Sequence, residues 1–489
     1  MKICIIEDLH LPYHREALQY EALSFYLADM KEKGAELLIV PGDFTADGNR
    51  ATAEYFFEAI KNLSFPTVVM TGNADFRNPE TKEYFRSVTA EPKHVFGEHT
   101  VLALRDGEGR IPMEDLALLD TADGKALIFL HHPIESLAEE SKTRLSAFRE
   151  KHPDVPIFVG HAHIEKREGN TYYLNASDPD KAIGMPPCIY YYETETKALS
   201  KTHFACPKPA DLASYLGISA FHALEDLAYA TEQGLYGVEF RPSVVNEDRK
   251  ALLSGLRAFR KAGGKCVSFH FPNLAERDGT LADEAELLAF AALVREAGGD
   301  RITLHAPSVS LLAIEKDPDL LSRLSDLAAK VIDALPDGCT VGIENMHMTA
   351  KDSMQDRAFG YTPEECRCFI ELLRARTKHP VGFHFDTGHA RNNIPLSQTY
   401  TQSVWMAELG AEIVGYHIHQ VILADGKMEN HMAITEPYGA LISYATFFRM
   451  WESGRLWKAP VFLEIRPTKE DGAPYKRSLA WMRVHNSFQ

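Results

Sequence analysis

Five short groups of potential metal ligands punctuate the first third of this chain: Asp8-x-His10, Gly42-Asp43, Gly72-Asn73, His131-His132 and Gly160-His161-Ala162-His163. Each follows a short apolar run that reads as a strand. Carboxylate, amide and imidazole groups delivered to one rim by successive strand ends suit two divalent cations that share a carboxylate and activate a water. An isolated Asp after a strand is ordinarily a turn or a helix cap. Five such groups in strand context form a constellation, and the chemistry it suits is hydrolysis of a phosphate ester.

A second series fills the latter part of the chain: His270, His305, Glu344, Asp386 with His389, His417, Glu429 with His431, and Glu464. Most of these lie at or just beyond the end of an apolar run. Repeated imidazoles have little reason to line a sugar pocket, whereas each additional metal needs its own N or O donors. His384 and His419 alternate with ligands along their strands and are expected to be packed. Asn345 and Arg466 stand beside ligands and are expected to orient them or meet substrate.

Strands to carry these groups are expected near 2–7, 37–41, 67–71, 126–131 and 156–160, with helices over 15–33 and 51–62. This is a layered α/β pattern. Tyr- and Thr-rich pieces around 171–204, including Tyr190-Tyr191-Tyr192, read as a closing antiparallel segment, and Cys206-Pro207-Lys208-Pro209 as a linker. Beyond it, eight apolar strands are expected at about 214–218, 236–240, 265–271, 301–305, 340–344, 381–386, 413–419 and 461–465. Eight βα units at this spacing predict a TIM barrel, with its chemistry at the carboxyl ends of the strands. The expected domains are therefore 1–205 and 210–489.

The 489 residues are 45% hydrophobic and 25% charged, as in folded globular proteins. A net charge of −17, from 69 acidic and 52 basic side chains, disfavours a general nucleic-acid binder, which needs a basic face. The seven cysteines form no CxxC pair and read as reduced thiols. Charged residues follow at once after the first apolar strand, and no apolar run is long enough to span a bilayer, so a cytoplasmic location is expected.

The first series resembles the calcineurin-like metallophosphoesterase superfamily over residues 1 to about 200. The resemblance implies an αββα-type sandwich with two Mn, Fe or Zn ions. Asp8, His10, Asp43 and His163 would hold one, and Asp43, Asn73, His131 and His161 the other. The family often has His after the GN asparagine, where it serves as general acid or contacts substrate; here Ala74 and then Asp75 follow. His132 and Asp75 are the candidates for that catalytic role.

The second series resembles the xylose-isomerase-like TIM barrels, which include sugar isomerases, epimerases and the endonuclease IV phosphodiesterases. Isomerising members hold one metal, here implied at Glu344, Asp386, His417 and Glu464, and move a proton or hydride beside it; Glu344 and Glu464 are also candidate catalytic groups. The endonuclease IV pattern adds His270, His305, His389 and His431, with Glu429 where that family has Asp. One to three Zn or Mn ions are thus expected in the barrel. The expected protein is a bifunctional phosphoesterase for a small phosphorylated or sugar-like metabolite. A sugar isomerase coupled to a phosphatase, and a DNA-repair endonuclease, are the alternatives.

Overall fold

The computed structural model describes residues 1–277, 280–349, 352–468 and 471–484. It divides into two compact units, Met1–Cys206 with Tyr438–Thr446, and Pro207–Pro437 with Phe447–Gln489. The stretch 438–446, expected to belong with the barrel, groups with the first unit.

In the first unit, β1 (Lys2–Ile5), β2 (Leu37–Val40) and β3 (Thr67–Val69) run parallel, and β10 (Cys188–Glu193) and β11 (Ala198–His203) extend the sheet antiparallel, in the order β11-β10-β1-β2-β3. The second sheet contains β4 (Lys93–Phe96), β5 (His99–Ala103), β6 (Ala126–Leu130), β7 (Ile157–Val159), β8 (Lys166–Glu168) and β9 (Thr171–Tyr173), in the order β4-β5-β6-β7-β9-β8. Strand alternation sorts their side chains. Ile3, Ile5, Leu37 and Ile39 meet Val101, Ala103, Leu127 and Phe129 in the core between the sheets. Leu102, Ile128 and Leu130 point the other way, onto Leu116, Leu145 and Phe148 of the helices Met113–Leu118 and Glu139–Lys151. The result is the expected αββα-type layered sandwich.

The second unit is a closed barrel of eight parallel strands: β12 (Leu216–Ala220), β13 (Gly237–Phe240), β14 (Cys266–His270), β17 (Arg301–His305), β18 (Thr340–Glu344), β19 (Val381–Asp386), β20 (Ile413–Ile418) and β23 (Val461–Leu463). Two small hairpins leave it, β15 (Glu276–Arg277) with β16 (Thr280–Leu281), and β21 (Gln420–Ala424) with β22 (Lys427–Met432). All eight strands overlap the expected ones. The first begins two residues later than expected because Leu212–Tyr215 forms a 3-10 turn. The barrel interior is partly polar: buried Arg301 donates to the Val414 carbonyl at 2.5 Å and contacts His384 Nδ1 at 2.7 Å. That partner makes His384 a structural residue, as expected. No helix among the described residues is long and apolar enough to cross a membrane.

Candidate metal centres

Asp8 and His10 follow β1, Asp43 follows β2, Asn73 follows β3, His131 and His132 follow β6, and His161 and His163 follow β7. All therefore emerge at carboxyl ends of parallel strands. Five of these residues, Asp8, His10, Asp43, His161 and His163, have positive φ between 46° and 64°. For non-glycine residues such backbone costs about 1–3 kcal/mol each, and it clusters where function requires a particular side-chain direction. Main-chain donors fix the carboxylates. The His161 N–H donates to Asp8 Oδ2 at 2.7 Å and the Ala74 N–H to Asp43 Oδ1 at 2.6 Å, which leaves the other oxygen of each facing inward.

Two donor groups result. His10 Nε2 lies 3.4 Å from His163 Nε2 and 3.8 Å from Asp8 Oδ1, and His163 Nε2 lies 3.7 Å from that same oxygen. His131 Nε2 lies 3.0 Å from Asn73 Oδ1 and 3.3 Å from His161 Nδ1. Asp43 Oδ2 belongs to both, 3.8 Å from His10 Nε2 and 3.4 Å from His131 Nε2. Glycine makes the approach possible: a Cβ on Gly72 would sit 2.2 Å from Asp43 Oδ1. The residues expected for each ion are thus brought together.

His132 is largely buried, its ring centroid 4.5 Å from that of His161, while the N–H groups of His131 and His132 both donate to Asp106. Asp75 does not reach the site as an acid. Its oxygens accept from the Thr45 N–H at 2.9 Å, the Thr45 hydroxyl at 2.6 Å and the Gly72 N–H at 2.9 Å, so it braces the two ligand loops instead. Burial, reinforced by the charge of Asp43, pushes its carboxyl up to about 7.

In the barrel, the ligand series again gathers at the carboxyl ends of the strands. Glu344, fully buried, faces His270 and His305 with Oε2, at 3.3 and 3.1 Å, and His417 with Oε1, at 2.8 Å. His417 Nδ1 also lies 3.2 Å from Glu464 Oε2 and 3.8 Å from Asp386 Oδ2. Asp386 caps the short helix Thr387–Arg391 by accepting the His389 N–H at 2.6 Å, which places His389 one turn on. Asn345 is buried and pairs with the main chain of Asp386 in both directions, so it positions that ligand.

Hydrogen bonds assign the imidazole tautomers. His270, His305, His389 and His431 each place Nδ1 against a carbonyl-type oxygen, of Phe271, Asn273, Asn345 and Glu464 respectively, at 2.6–3.2 Å. Nδ1 must then carry the proton, and the Nε2 lone pair is left for a cation. His417 is turned the other way: Nε2–H donates to Glu239 at 2.5 Å and Nδ1 faces the carboxylates. His419 differs from all of these. Its Nδ1 lies 2.8 Å from the His431 main-chain N and 3.3 Å from the Gln420 carbonyl oxygen, and its Nε2 lies 3.2 Å from Asp386 Oδ1. Nε2 braces Asp386, and the ring also lies with His431 and Glu464 in a group that could hold a cation. It is more than packed, contrary to expectation.

Glu429 departs from its expected role as a ligand. It is exposed, two residues further out than His431 on β22, and adds no buried donor. Arg466 is exposed, its N–H bonded to the His431 carbonyl at 2.9 Å.

Sequence reasoning does not single out four further residues. Glu7 and Glu239 are fully buried carboxylates beside His131 and His417. Arg241 pairs with Glu464. The His347 ring lies 4.9 Å from that of His389, tilted by 43°, and burial holds it down to about 4. The available signals are a charged residue inside the apolar run Gly237-Val-Glu-Phe240 and an acid directly before Asp8.

The donor sets fit metal ions on their own chemistry. Neutral imidazole nitrogens do not face one another at 3.3–3.4 Å without a cation or proton between them. Asp8 Oδ1 is buried without a hydrogen-bond partner, and Glu344 Oε2 and Glu464 Oε2 are buried against imidazole nitrogens at 3.1–3.3 Å without a well-directed hydrogen bond. Burial opposes charge throughout, yet the imidazole of His131 holds Asp43 well below the ordinary carboxylate range, and that of His417 does the same for Glu344 and Glu464. Reciprocally, burial is outweighed at His131 by Asp43 and at His417 by Glu239, and both rings are raised well above the usual histidine value. Mixed N and O donor sets of this kind suit Zn, Mn or Fe.

Residues 227–485, more than half of the chain, match the family model of the xylose isomerase-like TIM barrel. The chain belongs to that family. The first 179 residues of this xylose isomerase-like protein match the calcineurin-like phosphoesterase model, so it is a fusion of the two domains. It is 26% identical over 148 residues to a Synechococcus sp. protein named as a probable cyclic nucleotide phosphodiesterase, a match covering 27% of this chain and 58% of that protein's length. Among solved structures, a 3-keto-D-glucoside 4-epimerase from E. coli aligns at 16% identity over 55% of this chain and 98% of its own, with a TM-score of 0.38. A dimetal phosphatase from Danio rerio aligns at 14% identity over 39% of this chain and 92% of its own, with a TM-score of 0.30.

Proposed function

We propose that this protein is a bifunctional metal-dependent phosphoesterase. The first unit hydrolyses a phosphomonoester or phosphodiester, and the barrel acts on the same or a related small phosphorylated metabolite as a phosphodiesterase. The observation that carries this reading is carboxylate sharing. Asp43 Oδ2 faces the imidazoles of both groups in the first unit, and the two oxygens of Glu344 face different histidines in the barrel. A mononuclear isomerase site does not need the His270 and His305 pair on the far side of Glu344.

In the first unit Asp8, His10, Asp43 and His163 would hold one ion, and Asp43, Asn73, His131 and His161 the other. In the barrel His270, His305 and Glu344 would hold one ion and Glu344, Asp386, His417 and Glu464 a second; His389 and His431 offer Nε2 to a third. Bound ions would supply Lewis acidity, activating a water and offsetting charge on the phosphoryl oxygens. The chain itself fixes the donors through main-chain hydrogen bonds. Ala74 removes the usual general acid from the first site, which leaves His132, beside His161, to donate a proton to the leaving group.

The test is to assay Asp43→Ala and Glu344→Ala separately in the full chain against a panel of phosphomonoesters, phosphodiesters and sugar phosphates, with Zn or Mn supplied. Each substitution should abolish one activity and spare the other. A single activity lost in both variants, or two activities lost together, refutes the bifunctional reading, and isomerisation of a sugar by the Asp43→Ala protein refutes the assignment of the barrel.

A further inference from the structure

Glu7 ends the run Ile3-Cys-Ile-Ile-Glu7, immediately before Asp8, and its side chain is fully buried. Its main chain is fixed by Ser177, whose hydroxyl accepts the Glu7 N–H at 3.2 Å and whose N–H donates to the Glu7 carbonyl at 2.7 Å. Neither carboxylate oxygen has a hydrogen-bond partner. A buried carboxylate left in that state is heavily penalised, so its retention calls for a partner that the protein itself supplies.

That partner is His131. Its Nδ1 is also buried without a hydrogen bond and lies 3.8 Å from Glu7 Oε1, about 1 Å beyond normal contact. The same ring points Nε2 into the donor group, 3.0 Å from Asn73 Oδ1 and 3.4 Å from Asp43 Oδ2. Asp8 Oδ1 is 3.9 Å from His131 Nδ1, but that oxygen also faces His10 and His163, at 3.8 and 3.7 Å. Room for Glu7 comes from the glycine that opens Gly160-His161-Ala162-His163. A Cβ on Gly160 would stand 1.9 Å from Glu7 Oε1.

We propose that Glu7 is a positioning residue for the ion held by Asp43, Asn73, His131 and His161: it accepts the Nδ1–H of His131, fixes the tautomer that offers Nε2, and strengthens that nitrogen as a donor. The inference rests on reading the first unit as a two-ion site. It assigns Glu7 to one ion of the pair only, because nothing places it against His10 or His163.

The test uses the full chain with zinc as the probe. In the zinc-loaded wild type, long-range ¹⁵N–¹H spectra of histidine-labelled protein should show His131 protonated at Nδ1 and bound at Nε2. In E7Q, zinc competition against a chelator should show one ion weakened about 10–100-fold, the same ion that His131→Ala loses, with the other ion of the pair unchanged. Three results overturn the proposal while leaving the two-ion reading intact: Nδ1 of His131 unprotonated when zinc is bound, E7Q holding both ions as tightly as wild type, or E7Q lowering the melting temperature alone. Zinc leaving the His10, His131 and His163 rings unperturbed in the wild type would refute the two-ion reading instead. Should E7Q fail to fold, the wild-type spectrum decides.

Discussion

Glu344→Gln tests whether one carboxylate serves two ions in the barrel. The change is isosteric and removes a single negative charge at a fully buried position. Oε2 lies 3.3 and 3.1 Å from the Nε2 atoms of His270 and His305, and Oε1 lies 2.8 Å from His417 Nδ1, so an ion bound on either side would sit within about 4 Å of that charge. Unit charges about 4 Å apart interact by roughly 4 kcal/mol at an effective dielectric near 20, and a divalent ion by about twice that. If the amide oxygen and entering water recover half, about 4 kcal/mol remains, roughly a 10³-fold loss of affinity for each ion. Metal-to-protein ratios by elemental analysis, after gel filtration with a micromolar chelator, should fall by two in the variant. The ions of the Asp43 group should stay, since that donor set is built from other residues. A loss of only one ion would show that Glu344 is not shared, and a parallel loss from the first unit would show that the two centres are not independent.

Metal uptake by the first unit should be pH-linked. His131 is raised well above the ordinary histidine value in the metal-free protein, so it enters neutral solution protonated, and binding an ion must release that proton. Zinc affinity should rise with pH through and above neutrality, and isothermal titration in buffers of different ionisation enthalpy should report proton release at pH 7; no release would contradict the assignment. The same shift makes metal-free stability from this group fully present below about pH 6.5 and lost as pH rises through the elevated value. Asp75→Asn should destabilise the metal-free chain by about 1–3 kcal/mol near pH 4, because the amide directs two N–H hydrogens, where the protonated wild-type acid has one O–H, among the Gly72 and Thr45 donors that need acceptors. The deficit should shrink as pH rises from about 4 to about 7, the interval in which the unfolded wild-type carboxyl is ionised while burial and Asp43 keep the folded one protonated, and should level off above it; chemical denaturation at several pH values measures it. Glu239→Gln keeps the contact to His417 Nε2, and the Ser268 and Thr303 hydroxyls that donate to Glu239 can rotate to accept. It should fold normally yet weaken barrel metal or activity about 10–100-fold.

The strands that position the ligands are legible because parallel strands covered on both faces are continuous apolar runs. The expected bounds for β17, β18 and β19 coincide with those found, and each run ends on a polar residue that is a proposed ligand. Less legible are the half-exposed pair β4 and β5, where Lys93-His-Val-Phe96 carries no apolar run, and the grouping of Tyr438–Thr446 with the first unit, a tertiary contact that leaves no periodicity. Ligand identity is readable from residue type, but the supporting carboxylates are not. Glu239 sits inside an apolar strand and Glu7 at the end of an apolar run, where a single acid has the same local appearance whether it orients an imidazole or pairs elsewhere. Glu429 shows the reverse error: its position in the pattern points to a ligand, while its place on an exposed hairpin leaves it outside the buried donor set.

Both centres solve one electrostatic problem by the same means. Carboxylates and imidazoles packed this densely repel or desolvate one another in the metal-free chain, and the fold holds them by main-chain donors, left-handed backbone at six candidate ligands, five in the first unit and His431 in the barrel, and fixed imidazole tautomers. Lone pairs are thereby aimed inward before any ion arrives. The carboxylates behind the rings extend the logic: Glu239 lies behind the Nε2 of His417, and Glu7 behind the Nδ1 of His131. Each makes the opposite nitrogen the better donor. The same device on two unrelated folds argues that imidazole orientation, and not carboxylate count alone, determines which ring nitrogens of these clusters face a cation position.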